Sequence, residues 1–142
     1  MSDWKMFALS SAFFAGLTAV FAKIGVREIP SNLATLLRTC VIILFLALLV
    51  GARNEWQNPL VFNRKSLIFL LLSGVTTGLS WLFYFRALQA GPASLVAPLD
   101  KLSLVFSVIF SVILLGEHLS GAQWVGVLIM TTGALLIAQN RF

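Results

Sequence analysis

Apolar residues come in long runs, broken by short polar or turn-forming stretches. A membrane-crossing helix needs about 20 mostly apolar residues. Windows of that kind fall at residues 4–24, 31–50, 66–89, 92–115 and 121–138, and they predict five transmembrane helices. Gly25 to Pro30 turns the first helix into the second, with Ser31 or Asn32 expected to cap the new helix. Gly91-Pro92 separates the third from the fourth, since Gly ends helices and Pro begins them. Gly116 to Ser120 leads into the fifth. Only residues 51–65 make a longer link, where Arg53, Glu55, Trp56, Arg64 and Lys65 suit the lipid headgroup layer. Short links make successive helices antiparallel neighbours. The fold expected is an all-α integral membrane protein, with residues 1–142 forming one domain.

Within the spans, polar residues share faces. Asp100, Ser103, Ser107 and Ser111 form one stripe on the fourth helix, and Ser73, Thr77, Ser80 and Tyr84 form another on the third. Ser31, Thr35 and Arg38 align on the second. Such stripes serve either close helix packing or a polar cavity. A charge shifts the reading toward a cavity, because in hydrocarbon it needs water, a partner or a substrate. Arg38 lies about 10 Å along its helix from Ser31, Asp100 about 11 Å from Ala93, and Trp81 about 12 Å from Gln89. All three are counted from the same membrane face, so they sit at similar depth, with Tyr84 and Arg86 nearer that face. Asp100 and Lys101 point about 100° apart on a helix and are expected to be poor partners for each other. Asp100 is expected to pair with Arg38 or Arg86, while Lys101 snorkels or faces a second subunit. Pro98 removes a helical hydrogen bond and frees the Ser94 carbonyl, marking an irregular helix. On the fifth helix, Ala122, Gly126 and Gly133 make a smooth ridge for a subunit contact, preferred to the Gly74–Gly78 pair of the third.

Composition supports the membrane reading. The chain is 59% hydrophobic and 11% charged, against about 25% charged for an ordinary soluble domain. The first apolar stretch exceeds a signal core and lacks a small-x-small cleavage site before Lys23, so it is read as a retained helix. The net charge of +5 has no basic run or basic helix face, so no nucleic-acid partner is expected. Lys5, Arg53, Arg64 and Lys65 fall on the N-terminal side of the membrane, and Lys23, Arg27, Arg86 and Arg141 on the other. This four-to-four balance removes the bias that normally sets orientation, and insertion both ways up is expected. Cys40 and His118 stand alone, and no metal-ligand spacing, phosphate loop or paired catalytic carboxylates occur in the sequence. No enzyme and no cofactor are therefore expected.

Several elements occur in a telling order: Ala22-Lys23-Ile24-Gly25, Ser31 to Thr35 with Arg38-Thr39, Trp81 to Leu88, Gly91-Pro92-Ala93-Ser94, Ala97 to Ser103, and Leu115-Gly116-Glu117. Together they resemble the EamA domain of the drug/metabolite transporter superfamily, most closely its short five-helix bacterial and archaeal branch. In larger members two such domains lie in inverted orientation, ten helices around a central cavity. The resemblance thus implies that this chain is one half of such a carrier and works as an antiparallel homodimer. It implies transport of a small molecule, by export of amino acids, metabolites or drugs or by exchange of phosphorylated compounds, across a bacterial or archaeal inner membrane. The related small four-helix exporters use a glutamate in their first helix. Here no acid lies between Asp3 and Glu28, so that mechanism does not carry over. The expected carrier effluxes a metabolite through a site formed by Asp100, Arg38, Trp81, Tyr84, Lys101, Ser103, Ser107 and Arg86, with Gly126 and Gly133 at the dimer contact. A passive channel built from the same dimer, or an accessory subunit without transport of its own, are the competing readings.

Overall fold

Every expected span is helical in the computed structural model, which describes residues 3–139 apart from the Leu60 side chain. Helix α1 is Asp3–Gly25, α2 is Ser31–Ala52 and α3 is Arg64–Ala90. The fourth span, Ala93–Leu115, consists of α4 (Ala93–Asp100), α5 (Ser103–Phe110) and a π turn (Ser111–Leu115); α6 is Gly121–Gln139. A short 3₁₀ turn at Pro59–Val61 interrupts the long link. All five spans are long and apolar enough to cross a bilayer. Arg141, counted in the charge balance, lies outside the described residues.

The helix ends follow local chemistry. Asn63 starts α3 two residues before the expected Ser66: its side chain accepts the Lys65 amide at 2.9 Å and its carbonyl the Leu67 amide at 3.2 Å. Helix α2 runs on to Ala52 and is followed by Asn54 at φ 54°, a conformation that Asn tolerates better than most residues. The expected Ser31 or Asn32 cap does not form. Pro30 occupies the N-cap position of α2, at φ −52° and ψ 134°, so the helix already begins at Ser31, and the Ser31 carbonyl instead accepts the Thr35 hydroxyl. Ser120 and Gln123 form a reciprocal cap at the start of α6. The Ser120 amide donates to Gln123 Oε1 at 2.7 Å and the Gln123 amide to Ser120 Oγ at 3.4 Å.

The chain divides into two compact units. The central unit is Ala22–Gln89: the last turn of α1, then α2, the link and most of α3. The other, here the terminal unit, joins the residues up to Phe21 to those from Ala90 onward. Within it, α4 packs on α6. In both units most large apolar side chains point outward, for example Phe7 at 74% and Leu114 at 76% exposure. In water that would be untenable, but toward lipid tails it costs nothing.

The fourth span breaks where Pro98 disturbs it, one turn downstream. Lys101 and Leu102 donate to Pro98 O and Leu99 O at 3.1 Å, and Leu104 and Val105 to Lys101 O and Leu102 O at 3.0 Å. These i to i+3 bonds overwind the backbone, the tightening expected when the regular ladder loses a donor. The span ends by widening instead: the Gly116 amide reaches back to Ser111 O, and Gly116 takes φ 68°. A side chain there is disfavoured by about 1–2 kcal/mol. Gly116→Ala should lower the apparent melting temperature of detergent-purified protein, and Gly116→Asn should lower it less. Equal melting of all three proteins would show that the left-handed turn does not matter to stability.

Candidate functional site

Arg38 sits two turns inside α2, half-buried, on the face that carries Thr35 and Thr39. Both threonine hydroxyls donate back to their own helix at 2.8 Å, Thr35 to Ser31 O and Thr39 to Thr35 O. On α3, Trp81, Tyr84 and Phe85 fall within about one turn, so they project to a common side. The Arg38 guanidinium lies 4.0 Å from the centre of the Trp81 ring and 5.6 Å from that of Phe85. Such cation–π contacts contribute from about 0.5 to 2 kcal/mol as they become desolvated. Phe85 is 3% exposed, and the Tyr84 ring meets it edge-on at 6.4 Å. The result is a cation seated in an aromatic box within the central unit. Arg86, on the same helix, is exposed.

A second polar assembly in the central unit joins the end of α1 to the end of α3. Lys23 Nζ donates to the Leu88 carbonyl. Gln89 Nε2 donates to Val26 O at 3.0 Å and to Ile29 O at 2.8 Å. Leu88 is fully buried and Val26 is 1% exposed. Lys23, Val26, Arg27, Leu88 and Gln89 line a cleft of about 300 Å³. The sequence reading passed over this clamp. Its signal was available: two long polar side chains, each within a turn of a span end on the same membrane face.

In the terminal unit, Asp100 and Lys101 stand at the overwound turn. The expected partners of Asp100 were Arg38 or Arg86, both in the central unit. The partner that it finds in its own unit is Lys101, whose Nζ lies 3.8 Å from Asp100 Oδ2. The 100° offset was a poor guide because the flexible four-carbon stem of a lysine can curl back to its neighbour. The pair is long and partly open, and by itself stabilises little. Ser103 and Ser107 follow on α5 and are both exposed. Among the described residues, no group of three or more His, Cys, Asp or Glu could hold a metal ion.

Five spans, with charged and aromatic groups set inside them, define a multi-pass membrane protein. The chain belongs to the EamA-like transporter family, whose sequence pattern matches residues 3–139. It is 53% identical over 136 residues to the uncharacterized transporter in the cobO 3' region of a Sinorhizobium species, covering 96% of each chain. It is 28% identical over 127 residues to an uncharacterized protein of Methanocaldococcus jannaschii, covering 89% of this chain and 90% of that one. No solved structure matches it.

Proposed function

We propose that the chain, as a single domain, is one subunit of a secondary transporter in a bacterial or archaeal inner membrane, and that an antiparallel homodimer exports a small metabolite. The observation that carries this reading is the exposure of Ser103 and Ser107, which follow the Asp100–Lys101 pair along the fourth span. Polar groups at bilayer depth need cover from protein or from a water-filled cavity. A second copy supplies that cover and, turned over, completes the ten-helix arrangement of the larger relatives. The balanced basic residues suit a chain that inserts in both orientations. In this reading transport is driven by protons or by the substrate gradient, and Asp100, Arg38, Trp81, Tyr84, Lys101, Ser103, Ser107 and Arg86 serve substrate binding or coupling, Asp100 being the proton carrier where protons drive it. The contact between copies runs along α6. There a Cβ built at Gly126 or Gly133 meets nothing outside its own helix backbone within 4 Å, and a groove of about 390 Å³ follows Val125, Leu128, Ile129, Thr132, Gly133 and Leu136.

Two measurements test this. C-terminal reporters active in only one compartment should both give signal from cells expressing the chain; signal from one alone excludes dual insertion. Purified chain in proteoliposomes should give saturable flux with counter-transport. Flux that rises linearly with gradient would make the dimer a passive channel. Transport restored only by a co-expressed protein would make the chain an accessory subunit.

A further inference from the structure

The charges inside the spans are not balanced unit by unit. In the terminal unit, Asp100 is matched by Lys101. In the central unit the acids are Glu28 and Glu55, and both lie in links outside the spans. Among the described residues of that unit, no carboxylate comes within 4 Å of Arg38. Arg38 nevertheless sits about 10 Å inside its span, where a lone cation is costly.

The box explains how that cation is held and what it leaves open. Stacking on Trp81 at 4.0 Å engages the flat face of the guanidinium. The five N–H donors lie in the plane of the group and point outward from its edge, so stacking does not consume them. The hydroxyls of Thr35 and Thr39 on the same face of α2 are turned onto their own helix. A rigid fork of donors, oriented by an aromatic wall, is complementary to a planar two-oxygen acceptor. The charge also suits it: one guanidinium balances the single charge of a carboxylate. Trp81 and Tyr84 offer further aromatic surface for the carbon skeleton of the same molecule.

We infer that the box of Arg38, Trp81 and Phe85, with Tyr84 beside it, is a carboxylate-binding site, and that the transported solute is a small carboxylate with a flat or apolar body. This rests on the carrier reading above and adds the substrate class to it. The carboxylate meets the outer edge of Arg38 through two parallel hydrogen bonds, and Trp81 keeps the guanidinium from rotating out of register.

The test uses the full chain purified in detergent, with benzoate, its neutral isostere benzamide, benzylamine and inorganic phosphate as probes. Thermal shift and tryptophan fluorescence should both register benzoate and respond far less to the other three. Arg38→Gln should weaken benzoate binding about ten- to hundredfold, the loss expected for a charge-assisted hydrogen-bonded pair. Arg38→Lys keeps the charge but not the fork, and should bind with intermediate strength. It keeps the comparison valid if the glutamine variant does not fold. Benzamide or phosphate matching benzoate, or either Arg38 variant binding benzoate like the wild type, would overturn the inference. An Arg38-dependent phosphatidylglycerol that copurifies and blocks benzoate would overturn it too, by assigning the site to a lipid headgroup. A parallel flux panel of carboxylates, amides and amines separates the two levels. Flux of amines or amides alone refutes the substrate class and leaves the carrier; no flux of any class refutes the carrier itself.

Discussion

Asp100→Asn protein, reconstituted in proteoliposomes, is expected to lose proton-driven transport down to the leak of protein-free vesicles. Among the described residues Asp100 is the only acid set well inside a span, and it sits at the overwound turn beside the exposed serines of α5. Removing its charge also leaves Lys101 without its 3.8 Å partner, so a loss of stability could imitate a loss of coupling. The double variant Asp100→Asn with Lys101→Gln separates the two. It removes both charges and the strain of an unmatched one. If the pair only holds the turn together, the double variant recovers both its melting temperature and its transport. If Asp100 carries the coupling proton, stability returns and transport does not. Unimpaired transport in the single variant would remove Asp100 from the mechanism altogether.

Bulky residues on α6 should act through a different route. Gly133→Leu and Gly126→Leu add side chains where the new Cβ meets no neighbouring side chain or helix within 4 Å. The melting temperature of the monomer is therefore expected to change little. A second copy seated along the groove does have to move. Overpacking an interface costs about 1–3 kcal/mol per site, so dimer dissociation should strengthen by about ten- to hundredfold for each substitution. Size-exclusion chromatography in detergent reads this as a shift from dimer to monomer, with transport falling in parallel. An unchanged oligomer with both residues replaced would place the contact on another helix.

The helices were legible because hydrocarbon imposes a length and a composition that short loops cannot disguise. Asn63 and Asn54 set the helix ends beyond the apolar windows, since capping and left-handed geometry are decided by single side chains rather than by hydropathy. Counting depth along the helices put Arg38 and Trp81 at one level, and the structure stacks them. Phe85 went unnoticed as a wall of the same box, because a phenylalanine in a membrane helix carries no signal of its own. Pro98 marks the irregularity in the sequence, but not where it falls: the backbone tightens around Lys101 and Leu102. A missing donor is a local fact; where the strain of its loss is released depends on the bonds further along. The hydroxyl stripes were ambiguous for a related reason. The Thr77 hydroxyl donates back to Ser73 O at 2.7 Å, and Thr18 and Thr131 make the same bond on their own helices. A threonine satisfied in this way serves packing as well as it would serve a cavity.

The clamp at the ends of α1 and α3 also constrains the order of biogenesis. Lys23 and Leu88 are 65 residues apart in sequence, and Gln89 lies 60 or more beyond the carbonyls it serves at Val26 and Ile29. During synthesis the first hairpin is complete long before Gln89 exists to donate to it or Leu88 to accept from Lys23. Until the third span has emerged, the Val26 and Ile29 carbonyls must be hydrated, which holds that turn at the membrane surface. The arrival of Gln89 then exchanges water for protein and ties the end of α1 and the turn after it to the end of α3.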